Sequence, residues 1–221
     1  MQQHRMIVPY RTFYNGELVK EEVMYYDGPR FLYKDYPDVT ASLDTLGEWS
    51  VLATLCQIIL YHRPYSIVEL GAGESTSILL LAAERANVKL YSVDLKPFKH
   101  LNCKRNYEFY LGDTKDFMKT FNDTPAIVLI DANHEYENAK REFEFFFDKL
   151  VEGGVIFLHD TYPSCEKMLA PLSCGDVYKL RQDIEKMDKN LLDVFTWPYT
   201  AKWCGLTMVI KKEKERPFWG A

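Results

Sequence analysis

From Tyr65 onward the chain alternates between short, nearly unbroken apolar runs and longer stretches whose apolar residues recur every three or four positions. The runs SIVEL (66–70), KLYSVD (89–94), AIVLID (126–131) and VIFLHD (155–160) have the length of strands. They lack the polar alternation of a half-exposed sheet, which predicts strands covered on both faces. Between them, 75–86 reads as an apolar helix. Tyr136, Ala139, Phe143, Phe146, Phe147 and Leu150 then share one helical face that ends before Gly153-Gly154. Val177, Leu180, Ile184 and Met187 predict a further helix within 174–188. Strand alternating with helix builds a parallel α/β sheet covered by helices. The tail breaks this rhythm, because LLDVFTW (191–197) and GLTMVIKK (205–212) are too close for a helix between them. They are predicted to pair antiparallel, unlike the wholly parallel dehydrogenase sheet.

Upstream, residues 1–40 have poor periodicity and form a short extension, leaving 41–221 as the main domain. VKEEVMYY predicts one strand of a hairpin across Asn15-Gly16, and Asp27-Gly28-Pro29 marks another turn. Thr40 or Ser42 is placed to cap a helix running to about Tyr61, which Pro64 stops. Aromatic residues reach 14%, and Tyr10, Tyr14, Tyr25, Tyr26, Tyr33 and Tyr36 crowd the extension, which reads as an acceptor-side cover or a dimer contact.

A formal charge of −5 argues against a general nucleic-acid or anionic-membrane binder. Cys56, Cys103, Cys165, Cys174 and Cys204 form no CxxC pair, so reduced thiols in a cytoplasmic setting are expected. The first residues hold no apolar run of signal-peptide length, and no stretch has the length of a membrane span.

Glu69-Leu70-Gly71-Ala72-Gly73-Glu74-Ser75 follows the first predicted strand and opens a helix. Glycines there permit a sharp turn and close approach to a ligand, although a plain strand–helix turn has the same composition. Glu69 at the strand end would repel a pyrophosphate and attract an amino group, and the third glycine of the dinucleotide fingerprint is missing. Asp94, 25 residues after Glu69, ends the next strand, where an acid can take both ribose hydroxyls. A ligand with a ribose and a cationic amino-acid end is S-adenosylmethionine (SAM).

With these motifs, residues 66–160 resemble a class I SAM-dependent methyltransferase, VELGAG and YSVD being its first two motifs. The resemblance extends over roughly 42–212 and implies a Rossmann-like, mostly parallel sheet with an antiparallel last strand. It also implies that Gly71, Ala72, Gly73, Ser75, Asp113, Thr114 and Asp131 surround the cofactor, with Gly112-Asp113-Thr114 beside adenine.

Asp131 ends the fourth predicted strand with His134 three residues on, and His159-Asp160 ends the next. Adjacent carboxyl ends of a parallel sheet share one crevice, so Asp131, Asp160 and His134 are expected to converge there. Two hard carboxylates, with His159 as a candidate third ligand, suit Mg²⁺ or Mn²⁺. His134 is then placed to take a proton from a metal-bound hydroxyl. The same residues have plainer readings, Asp131 as a helix cap and His159 as a core histidine. DxxH followed by HD is similar to the metal-dependent O-methyltransferases of macrolide sugars, and to rhamnosyl and cephalosporin-biosynthesis O-methyltransferases. That likeness implies magnesium on Asp131 and Asp160 and the base at His134. The macrolide-sugar group has an acid where this chain has His159. Catechol-type enzymes have Asn and Lys where it has Thr161 and His134, which argues against a catechol.

The segment 162–175 reads as a loop over the acceptor pocket, and Tyr162, Trp197, Tyr199 and Trp203 as rings able to stack on a sugar. The expected function is SAM-dependent O-methylation of a hydroxyl on a sugar or glycan. The alternatives are a phenolic or other small natural product as acceptor, or a catalytically silent SAM-binding partner module.

Overall fold

A computed structural model describes residues 6–14, 17–27, 30–32, 48–97, 106–163, 165–171, 173–198 and 204–213, with side chains from residue 51. Strand β1 (Met6–Tyr14) pairs antiparallel with β2 (Glu17–Asp27), from Met6 opposite Tyr26 to Tyr14 opposite Glu17 with a one-residue register shift between Thr12 and Phe13, and β2 pairs with β3 (Arg30–Leu32). The predicted hairpin is therefore present. Its turn residues Asn15-Gly16, and also Tyr33, Tyr36, Thr40, Ser42, Cys103, Tyr199 and Trp203, lie outside the described residues.

Helix α1 (Glu48–His62) stops two residues before Pro64, as that ring requires. The elements that follow are β4 (Ser66–Leu70), α2 (Glu74–Ala86), β5 (Leu90–Asp94), β6 (Tyr107–Leu111) and α3 (Thr114–Thr120). The chain continues through β7 (Pro125–Ile130), α4 (Tyr136–Lys149), β8 (Val155–His159), α5 (Val177–Ile184), β9 (Leu192–Trp197) and β10 (Leu206–Lys211). The seven strands from β4 onward form one sheet in the order β6-β5-β4-β7-β8-β10-β9. β10 runs antiparallel to both its neighbours, and the other pairings are parallel.

The sheet is buried on both sides because alternate residues of each strand feed two separate apolar layers. Ile67 joins Leu52, Cys56, Leu60, Leu79 and Ala83 beneath α1 and α2. Val68 and Leu70 join Phe117, Phe143, Phe146, Leu180 and Ile184 beneath α3, α4 and α5. Phe143 and Phe146 are 3% and 0% exposed, which accounts for the helical aromatic stripe as core. Trp197 also packs against the core, so it stacks on protein.

In the seven-stranded sheet and its covering helices, two elements escaped the sequence pattern. β6 is the edge strand, with Tyr107, Phe109 and Tyr110 half-buried and Glu108 and Leu111 exposed, so it lacks an apolar run. α3 is only seven residues long, started by Asp113, whose side chain accepts from the Lys115 N–H at 2.7 Å. Among the described residues no helix is long and apolar enough to cross a membrane.

Candidate active site

The carboxyl ends of β4, β5, β6 and β7 open into one pocket of about 750 Å³. Its wall includes Gly71, Ala72, Asp94, Asp113, Thr114 and His134, six residues singled out from sequence. The β4–α2 turn owes its shape to Gly71, at φ +92°, where a Cβ would lie 2.2 Å from the Asp131 carbonyl oxygen. Only glycine fits both constraints. Gly73 differs: its backbone is extended, and a Cβ there meets nothing within 4 Å. It is the N-cap of α2, its N–H donating to the Thr76 hydroxyl at 2.9 Å, and it does not line the pocket.

Asp94 fixes the loop from the other side, accepting from the Ala72 N–H at 3.1 Å and the Lys96 N–H at 2.7 Å. Each carboxylate oxygen keeps a second lone pair for a ligand hydroxyl.

Glu69 is not where the sequence reading put it. It shares the Ile67 face of β4, is 0% exposed, and is absent from the pocket wall. Ser75 donates to one of its oxygens at 2.6 Å and Ser92 to the other at 2.5 Å, which ties the start of α2 to β4 and β5. Ser75, itself 1% exposed, is a partner of Glu69 rather than a wall residue. Alternation decides this, since a strand residue next to Leu70 must face the opposite layer.

Burial raises the Glu69 carboxyl to about 7, against the serine hydrogen bonds that favour its ionised form. An unfolded glutamate ionises near 4.5, so the unfolded chain loses a proton that the folded chain keeps between about pH 4.5 and 7. Stability therefore falls as pH rises through that window. Glu69→Gln is expected to flatten the decline by on the order of 1–3 kcal/mol. Thermal unfolding from about pH 4 to 8 measures it, and an unchanged slope overturns the assignment.

Glu142 is a wall residue that sequence reading missed, although it lies three residues from Ala139 on the buried side of α4. A charged residue within an apolar helical stripe was the available signal. It is 1% exposed and accepts from the Thr114 hydroxyl at 2.5 Å. Its Oε2 is buried with no hydrogen-bond partner, an unmet acceptor at the pocket wall. Burial raises this carboxyl too, to about 7.

Beside the pocket, Asp131, His134 and Asp160 bring donor atoms within 4.8 Å of one another. His134 Nε2 stands 3.6 Å from Asp131 Oδ1 and 3.3 Å from Asp160 Oδ2. His159 Nδ1 lies 3.0 Å from Asp131 Oδ1 and 3.4 Å from Asp160 Oδ1. Asp131 is anchored by its backbone N–H to the Leu70 carbonyl at 2.8 Å. It does not cap α4, because Asp176 takes that place by accepting from the Tyr136 N–H at 2.6 Å. Asp160 turns the chain at φ +59°, a left-handed backbone that aspartate tolerates better than most residues.

Burial pushes the Asp131 carboxyl up, but the His159 charge and hydrogen bonds from both histidines overcome it and hold it at about 2. The Asp131 hydrogen bond raises His134 above its ordinary value despite burial, with Asp160 and the Ser173 backbone adding to it. The two carboxylates are hard donors that suit a divalent cation of the Mg²⁺ or Mn²⁺ class, and the adjoining imidazoles are borderline donors. Tyr162 is exposed, with the Arg181 guanidinium 5.1 Å from its ring centre, and does not line the pocket.

A family described as a methyltransferase domain matches residues 68–161. No curated protein matches the chain. Among solved structures, cofactor-bound Rv0187 from MTB superposes with a TM-score of 0.55 at 20% identity, over 83% of this chain and 93% of its own. SAH-bound PaMTH1 of Podospora anserina gives 0.55 at 16% identity, over 81% and 84%. The MycE methyltransferase of the mycinamycin biosynthetic pathway, in complex with Mg and SAH, gives 0.57 at 14% identity, over 83% of this chain and 56% of MycE. These likenesses concern the fold. By sequence, residues 68–161 match a methyltransferase domain, and β4 to β10 build a Rossmann-like methyltransferase sheet around it.

Proposed function

We propose that this chain is a SAM-dependent O-methyltransferase acting on a hydroxyl of a sugar or glycan. One observation carries the reading: His134 belongs both to the pocket wall and to the carboxylate cluster. A cofactor site and an acid–base site therefore meet at one side chain.

Asp94 receives the ribose hydroxyls, Gly71 and Gly73 admit the amino-acid end, and Asp113, Thr114 and Glu142 surround the base. Bound SAM supplies an electrophilic methyl group. Asp131 and Asp160 would hold the divalent cation, with His159 beside them as a third candidate ligand, and a cation there lowers the pKa of an acceptor hydroxyl. With both carboxylates turned to the cation, His134 Nε2, the nitrogen that otherwise faces them, would be free of their hydrogen bonds and able to accept the proton. The O-methyltransferase reading rests on that arrangement, and the sugar on the likeness of DxxH and HD to the macrolide-sugar enzymes. The methyltransferase domain is taken as 41–221, with 1–40 as an acceptor-side cover or a dimer contact.

Isothermal titration with SAM is expected to show one site per chain. Turnover with hexose and deoxyhexose acceptors is expected to stop on EDTA treatment and return with Mg²⁺ or Mn²⁺. Absence of SAM binding overturns the enzyme reading. Turnover indifferent to chelation removes the metal, and transfer confined to phenols replaces the acceptor class.

A further inference from the structure

We infer that Cys174, Cys204 and Asp160 form a second cation site, suited to a thiophilic ion of the zinc class. The two thiols and the carboxylate present one donor atom each, all within 4.8 Å of one another. The edges of a tetrahedral zinc shell with thiolate and carboxylate ligands are about 3.5–3.8 Å. A contraction of at most about 1.3 Å brings the three donors to that spacing, within reach of side-chain rotation.

The cysteines are thirty residues apart, and the fold brings them together by two fixed connections. The β8–β10 pairing continues past the strand ends, with the Thr161 N–H donating to the Gly205 carbonyl at 3.3 Å and Tyr162 to that of Cys204 at 2.5 Å. This sets Cys204 beside the chain leaving Asp160. On the other side, the Cys174 N–H donates to the Met168 carbonyl at 2.9 Å, and the Asp176 N–H to the His134 carbonyl at 3.0 Å. Each cysteine is followed by a left-handed glycine, Gly175 at φ +53° and Gly205 at φ +84°. A Cβ at the first would lie 2.3 Å from the His134 carbonyl oxygen, and at the second 2.5 Å from the Tyr162 Cβ. Both turns are thus built around the cluster.

The donor set selects the ion. Cys174 is 0% exposed, and Cys204 Sγ is 3.8 Å from the Met168 thioether, so the surroundings are soft and largely dry. The carboxylate distinguishes a metal from a disulfide. Asp160 contributes nothing to a sulfur–sulfur bond and repels the thiolate that would form one, whereas it adds a third ligand to a cation whose fourth position is left to water. Asp160 is also shared with the Asp131–His134 cluster. On the proposed-function reading, an ion held by the thiols withdraws Asp160 from the hard-cation site, so zinc inhibits magnesium-dependent turnover.

The test uses the full reduced chain, stripped of metal and titrated with Co²⁺. One equivalent is expected to give a near-ultraviolet thiolate-to-cobalt charge-transfer band that Zn²⁺ abolishes. Cys174→Ser and Cys204→Ser are each expected to lose the band or weaken Co²⁺ binding at least about 100-fold. Cys165→Ser, at an exposed thiol outside the cluster, is expected to keep it. Unchanged thermal unfolding shows that the serine variants fold. A wild type without the band overturns the inference, as does a band that survives both serine variants. Loss of two thiols to a Cys174–Cys204 disulfide on aerobic titration, in place of the band, also overturns it. A thiolate–cobalt band in a chain that fails to bind SAM leaves this site standing and removes the methyltransferase reading.

Discussion

His134→Ala is expected to slow methyl transfer by roughly 10²- to 10⁴-fold, the range for loss of a positioned general base, while SAM affinity changes far less. The reason is geometric. His134 offers Nε2 to both Asp131 and Asp160, and no other described ring does so from the pocket wall. Its backbone carbonyl, which anchors Asp176, survives the substitution, so the loop carrying Cys174 keeps its place. The loss should therefore fall on kcat and leave SAM binding by titration nearly intact. Full activity retained from about pH 6 to 9 overturns the base assignment.

Gly71→Ala is the second large effect, and it acts through the fold. The residue sits at φ +92°, and an added methyl lies 2.2 Å from the Asp131 carbonyl oxygen, 2.6 Å from its carbon and 2.9 Å from the Ala132 Cα. Relaxation is blocked on both sides, because the Gly71 N–H donates to Val93 at 2.9 Å and the Asp131 N–H to Leu70 at 2.8 Å. Left-handed strain of about 1–3 kcal/mol and overpacking of about 1–3 kcal/mol combine to a loss of roughly 2–6 kcal/mol. For a chain of this size that lowers Tm by about 5–20 °C. Gly73→Ala provides the contrast, since its methyl enters open space. Stability should stay within about 0.5 kcal/mol while SAM affinity drops. A Gly71→Ala protein as stable as wild type contradicts the turn geometry, and a Gly73→Ala protein with unchanged affinity contradicts a ligand at that place.

The sequence disclosed the parts of this fold that are governed by burial. β4, β5, β7 and β8 are covered on both faces, so their apolar runs stood out within a residue or so of their observed limits. The antiparallel end was legible from the short link between β9 and β10, but the insertion of β10 between β8 and β9 was not, because loop length says nothing about which edge a strand joins. β6 stayed hidden because an edge strand needs no continuous apolar run. At the site, strand ends announced Asp94, Asp131 and Asp160. What could not be read was which face a side chain takes: Glu69 went to the α1–α2 layer with Ser75 and Ser92, and Glu142 came to the pocket from mid-helix. The neighbourhood of Cys174 and Cys204 depends on two loops meeting, a relation that no local spacing records.

The strand order has a consequence for biosynthesis. Of the seven strands β10 is the last in chain order yet takes the sixth place in the sheet, so until residues 206–211 appear β8 has a bare edge and β9 has no neighbour. By then β4 to β7, with Gly71, Asp94 and Asp113, can already have assembled, since domains begin to organise during synthesis. A nascent chain halted just short of β10 would carry the Gly71, Asp94 and Asp113 side of the pocket next to an open, apolar strand edge of the kind that recruits other chains. Emergence of residues 206–211 is therefore the step that covers the bare β8 edge, and it delivers the partner strand of the Asp160 turn in the same event.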